Sequence, residues 1–99
     1  MAEVHLARAA DEDLDHLITV LTLPDDTRER VQRSLRPLQA LPLLGPALTG
    51  RWSGLCFVLG PWRWMICVYH YDEPADRVTV ITVQDARSSK AATALRVWR

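Results

Sequence analysis

A chain of 99 residues fits one domain, read here as spanning positions 1–99. With 48% apolar residues, four tryptophans among them, it holds enough for a packed core and too much for a disordered tail. Twelve basic side chains balance twelve acidic ones, which excludes the very basic proteins whose surfaces are dominated by contacts to a phosphate backbone. Five basic and eight acidic residues fall in positions 1–50, and seven basic and four acidic in 51–99, a mild dipole with its positive end in the second half. Two cysteines, Cys56 and Cys67, are no disulfide framework. No basic-then-apolar leader follows Met1, and no apolar run approaches the roughly 20 residues of a membrane helix. A soluble, cytoplasmic protein is expected.

In chain order, Val4-His5-Leu6 alternates and suits a short strand. Asp11-Glu12-Asp13 suits a helix N-terminus, where acidic groups meet the positive end of the helix dipole. Leu14, Leu17, Ile18 and Leu21 then form one apolar stripe until Leu23-Pro24 ends the helix. Asp25-Asp26 are placed to cap a second helix, on which Val31, Leu35 and Leu38 share a face while its arginines face elsewhere. Pro37 cannot donate to the helical ladder, so a stop or kink is expected near Leu35, with one further turn through Leu41. The short connection predicts an antiparallel helix hairpin.

Pro42, Gly45, Pro46, Gly50 and Gly54 mark a loop. Beyond it the period changes. Leu55–Leu59, Trp62–Tyr71 and Val78–Gln84 are rich in β-branched and aromatic residues, with turns at Gly60-Pro61 and Asp72–Asp76, and predict an antiparallel meander. On the middle strand, Trp62, Trp64, Ile66, Val68 and His70 should point one way and Arg63, Met65, Cys67, Tyr69 and Tyr71 the other. One face should carry the helices. The face with Met65, Cys67 and Tyr69 is too apolar for open solvent, so the C-terminal segment or a partner should cover it. Asp85–Arg99 starts polar, turns weakly helical around Ala91–Leu95 and ends in an apolar Val97-Trp98. The fold class is therefore α+β: an N-terminal helix hairpin packed on one face of a small antiparallel β-sheet.

Specific residues in this order resemble the RelE/ParE superfamily of small bacterial toxins. Ala10-x-x-Asp13-Leu14 resembles the start of the family's first helix, and Leu38-x-x-Leu41-Pro42-x-x-Gly45-Pro46-x-Leu48-x-Gly50 its loop between helix and sheet. Gly60-Pro61-Trp62-Arg63-Trp64 followed by Val68-Tyr69 is similar to its Gly-Tyr-Arg-x-x-Tyr strand. Val78-x-Val80-Ile81-x-Val83 ending in Asp85-Ala86-Arg87 is similar to its last strand and the arginine beyond. The resemblance spans about residues 4–90. It implies a toxin of a type II toxin–antitoxin pair, neutralised by a cognate antitoxin, with no cofactor. Such toxins act either on DNA gyrase, as ParE-like inhibitors, or at the ribosome, as RelE-like endonucleases that cut mRNA without a metal; a homologue that only binds partners is a third reading.

By motif position, the resemblance assigns Arg63 and Arg87 as the catalytic or phosphate-handling pair, since a guanidinium fork matches two phosphate oxygens. Metal-free cleavage also needs a base, an acid and charge stabilisation. RelE-like members carry lysines on the strand before the motif, whereas Ser53–Leu59 has no basic residue. They place a tyrosine after the final arginine, whereas Ser88–Ala94 has none. These departures, and the neutral chain, favour the ParE-like inhibitor. His70 is expected on the face opposite Arg63, and His5 and His16 belong to the first strand and helix. With a turn centred on Gly60-Pro61, Cys56 should oppose Met65 and lie diagonal to Cys67, which disfavours a disulfide, and no set of zinc ligands is present. Trp62 and Trp64 share a face with Ile66 and Val68, so at least one of them is expected in the core, and Trp98 suits an interface.

Overall fold

The computed structural model describes residues 1–94. Leu95, Val97 and Trp98, and with them the expected interface tryptophan, lie outside the described residues.

Strand β1 (Glu3–Leu6) leads into helix α1 (Arg8–Leu21), which starts three residues before the acidic run. Of the expected stripe, Leu14 is buried and Leu17 and Ile18 are partly so, while Leu21 emerges into solvent. Thr22 closes α1 in the left-handed conformation (φ 51°). Helix α2 spans Thr27–Leu35. Asp26 precedes it as expected, but its side chain caps nothing. It accepts instead from Arg30 Nε at 3.0 Å, while the buried Thr27 hydroxyl donates to the Pro24 carbonyl at 2.6 Å. Pro37 acts as expected: the α-helix ends at Leu35, and a 3-10 turn over Arg36–Gln39 carries Leu38 into the core. Burying Leu14, Val31, Leu35 and Leu38 stabilises the hairpin on the sheet by about 1.5–3 kcal/mol each.

Strands β2 (Cys56–Leu59), β3 (Met65–Asp72) and β4 (Arg77–Asp85) form the antiparallel meander. β1 joins it in parallel beside β4, so the four-stranded sheet, in order β1-β4-β3-β2, is mixed rather than wholly antiparallel. One register expectation fails. Residues 60–64 form a longer turn, β3 starts at Met65, and Cys56 opposes Tyr69 instead of Met65. The diagonal relation of Cys56 to Cys67 survives, since Cys67 opposes Val58, and both thiols are free. Ile81 is bulged out of the β3–β4 ladder. The bulge resets the alternation, so Val78, Val80 and Val83 all reach the helix-side core. There the Asp13 carboxylate on α1 accepts from the Thr82 hydroxyl and from the Val83 N–H, fixing α1 over β4.

The sheet has two cores. Met65, Cys67 and Tyr69 meet α1 and α2 in the larger one. Ile66 and Val68, on the opposite face, pack against Leu48, Ala91 and Ala92. The C-terminal segment thus does cover one face, the Ile66–Val68 face rather than that of Met65 and Cys67. Its anchor is Gln84 Oε1, which accepts from the Ala92 N–H at 2.8 Å. Along the outer edge of β2 the loop folds back. Phe57 N–H donates to the Pro46 carbonyl at 3.2 Å and Leu48 N–H to the Leu55 carbonyl at 2.8 Å, blunting an edge that would otherwise be open to strand pairing.

Candidate functional site

The turn between β2 and β3 is built from Gly60 to Trp64. Gly60 N–H donates to the Met65 carbonyl at 2.8 Å and Met65 N–H to the Trp62 carbonyl at 3.1 Å. Ala86 N–H donates to the Trp64 carbonyl at 2.6 Å, so the residues just after β4 are tied to this turn. Trp62 and Trp64 both pack on the helix-side core, with rings stacked at a centroid separation of 5.8 Å and an angle of 6° between planes. The Arg30 guanidinium, from α2, sits 5.8 Å from the centre of the Trp62 ring, and that of Arg87 sits 4.8 Å from the Trp64 ring. The result is a four-rung ladder, Arg30–Trp62–Trp64–Arg87, joining α2, the β2–β3 turn and the end of β4. Each cation–π contact at such exposed positions contributes about 0.5–1 kcal/mol, and the aromatic pair about as much again.

A carboxylate holds each end. Asp26 pairs with Arg30 one helical turn away. Asp85 accepts from Arg87 Nε at 2.9 Å and Nη2 at 2.7 Å, and its Oδ1 also takes the Arg87 backbone N–H at 2.9 Å. The fork of hydrogen bonds from Arg87 holds the Asp85 carboxyl below the usual carboxylate range, and Asp85 in turn raises the guanidinium's pKa. The cost of exchanging this pair for another anion is small, because the Arg87 side chain is 61% exposed and such surface pairs are worth little in water.

Of the two arginines expected from motif position, Arg87 belongs to this ladder. Arg63 does not lie on the central strand, as its place in the motif suggested, because the strand starts two residues later. It stands exposed in the turn between the two tryptophans, with no hydrogen bond, ion pair or ring contact among the described residues. The two guanidiniums share no partner among the described residues. Arg30 was not expected here at all. Its contact depends on α2 crossing the β2–β3 turn, which no local pattern reveals; Gly60-Pro61 marked a turn, but Trp62 and Trp64 were read as strand residues beyond it.

The other titratable candidates stay apart from the ladder. His5 pairs with Glu3, and His70 is exposed at the far end of β3. His16 lines a cleft of about 450 Å³ with Asp13, Asp85 and Lys90. A second cleft, also about 450 Å³, lies between β1 and α2, with Leu6, Leu14 and Val31 on its floor and Arg28 and Arg36 at its rim. Arg28 is already engaged by Asp11 and Asp15. Burial pushes the Cys67 thiol up to about 12, which makes it inert rather than nucleophilic. No described helix is long and apolar enough to cross a membrane.

No protein-family model and no curated protein sequence matches the chain. Solved structures do. A chain of the RelBE2 toxin–antitoxin complex from Mycobacterium tuberculosis superposes with a TM-score of 0.66 at 20% identity, covering 85% of this chain and 96% of that one. A chain of the chromosomal ParDE system of P. aeruginosa gives 0.64 at 13% identity, covering 88% and 98%. The isolated RelE toxin of E. coli gives 0.62 at 15% identity, with both chains covered completely. At these identities the likeness is one of fold.

Proposed function

We propose that this chain, which has the fold of the RelE and ParE toxins, is the toxin half of a type II toxin–antitoxin pair. On this reading it works in the cytoplasm, is silenced by a cognate antitoxin, and arrests growth by binding a cellular machine such as DNA gyrase without cutting a substrate. The fold supports the toxin role, and two of the similar structures come from toxin–antitoxin systems. The observation that carries the choice of mode is the state of Arg87. Its guanidinium lies against Asp85 and Trp64, and an indole cannot serve as a base. The one carboxylate it contacts among the described residues is a poor base, because Arg87 itself lowers that pKa. Among the described residues Arg63 has no hydrogen bond or ion pair to a group able to take a proton. With no lysine on β2 and no tyrosine in Ser88–Ala94, general acid–base catalysis lacks its parts.

RelE-like ribosome-dependent mRNA cleavage is the second reading. It draws on one observation: the His16 imidazole lines the same cleft as Asp85. Inducing the protein alone in cells separates the two. The binding mode predicts loss of gyrase supercoiling with translated messages left whole. New ends in translated messages that vanish in Arg87→Ala would establish the nuclease and end the binding-only reading.

A further inference from the structure

Both ends of the tryptophan ladder are built alike. At each, an arginine lies over an indole, paired to an aspartate close to it in sequence: Asp26–Arg30–Trp62 at one end, Trp64–Arg87–Asp85 at the other. An indole beneath a guanidinium fixes its plane and leaves the fork of N–H groups at its edge to face an oxyanion. Two pre-oriented forks therefore flank a half-buried double-indole platform. Arg33 lines a shallow cleft of about 430 Å³ beside Arg30, with Ser34 and Pro61. Arg63 stands exposed between the indoles in sequence, with no ion pair among the described residues. The indoles pack on the helix-side core, where the two helices are also held by Leu14, Val31, Leu35 and Leu38.

We propose that the Arg30–Trp62–Trp64–Arg87 ladder is a docking surface for an acidic protein segment, whose carboxylates replace Asp26 and Asp85 on the two forks while its apolar side chains lie along the exposed edges of the indoles. Four arginines against two aspartates leave the patch cationic, as an acidic partner needs. A chain with no net positive charge has little to steer the continuous charge of a phosphate backbone, whereas a peptide needs only one carboxylate at each fork. Tryptophan and arginine are also the residues that concentrate binding energy between proteins. Asp26 and Asp85 then act as internal stand-ins. They keep each fork solvated, neutral and in position until a partner's carboxylate takes over, and Arg30 and the indoles position Arg87. The surface adds a partner-contacting face to the toxin reading, and it rests on that reading only in taking a protein as the occupant.

The test uses the purified full chain, isotope-labelled so that the indole N–H and arginine Nε–H resonances are followed together. The probe is a short capped peptide alternating glutamate with leucine, compared with oligothymidylate of equal charge. The expected result is a saturable shift of the Trp62, Trp64, Arg30 and Arg87 signals with the peptide and a weaker one with the oligonucleotide. Arg30→Gln and Arg87→Gln should each weaken the peptide about tenfold. Asp85→Asn, which keeps an oxygen to accept the Arg87 backbone N–H, should tighten it. Tighter binding of the oligonucleotide, or folded Arg→Gln variants that bind the peptide like the parent, would overturn the proposal, as would Asp85→Asn with unchanged affinity. These readouts need no toxicity, so a chain that binds the peptide but leaves growth untouched defeats the toxin reading and leaves the surface standing.

Discussion

Replacing Gly45 by alanine should detach the loop that seals the edge of the sheet. A Cβ at this position would lie 2.1 Å from the Phe57 carbonyl oxygen, 2.8 Å from its carbon and 3.1 Å from the Tyr69 hydroxyl. Two of these atoms are backbone within a paired strand, so the loop must yield. Lifting it away breaks three hydrogen bonds: Gly45 N–H to the Tyr69 hydroxyl at 3.0 Å, Phe57 N–H to Pro46, and Leu48 N–H to Leu55. At about 1 kcal/mol net each, these amount to roughly 3 kcal/mol. Re-exposing Leu48, now 3% exposed, adds about 2 kcal/mol. The lower conformational entropy of alanine in the unfolded chain returns about 0.4–1 kcal/mol. The net loss is about 4 kcal/mol, a large part of the roughly 5–15 kcal/mol that holds a domain of this size. Urea unfolding followed by tryptophan fluorescence measures it: with a slope near 1–3 kcal/mol/M, the midpoint should fall by about 2 M, or the variant should be unfolded in buffer. A loss below about 1 kcal/mol would show that the loop does not press on β2, and the argument would fail.

Tyr69→Phe removes only the hydroxyl. It leaves the Gly45 N–H buried without its acceptor, and should cost about 1–3 kcal/mol in the same assay, with the slope unchanged. Thiol labelling of the native protein at mildly alkaline pH should leave Cys67 unmodified, because burial keeps it protonated, while denaturant should release it; rapid native labelling of Cys67 would contradict its placement in the core. The Asp85 carboxyl is held low by Arg87, so its contribution to stability is complete above the ordinary carboxylate range and is lost as pH falls through its depressed value. An acid titration should therefore release Arg87 from Asp85 only below the ordinary carboxylate range, seen as a change in the Arg87 Nε–H resonance; release already within that range would show that the pair does not form.

The elements were largely legible because each rests on local chemistry. Pro37 ended α2 where a missing N–H must, and the alternation of Val4-His5-Leu6 and the β-branched and aromatic runs Trp62–Tyr71 and Val78–Gln84 marked strands that lie at Glu3–Leu6, Met65–Asp72 and Arg77–Asp85. What failed has physical causes. Trp62 and Trp64 alternate like strand residues and are β-formers, so they read as strand. The chain instead spends Gly60–Trp64 on a broad turn, which shifts the β2–β3 register by four residues and removes Arg63 from the strand. Alternation also names two faces without saying which meets the helices. Both faces of β3 are apolar because both are covered, one by the hairpin and one by Leu48, Ala91 and Ala92. The bulge at Ile81 is invisible in a run of β-branched residues. The ladder was hidden for a different reason: Arg30 and Arg87 meet the indoles only through tertiary placement, so the sequence offered Arg87 by motif and Arg30 not at all.

The claim that this chain is a toxin is tested most directly by growth. Tightly controlled induction of the full chain in bacteria, first alone and then together with any small reading frame found beside its gene, should stop colony formation in the first case and restore it in the second. Undiminished growth while soluble, folded protein accumulates would contradict the account.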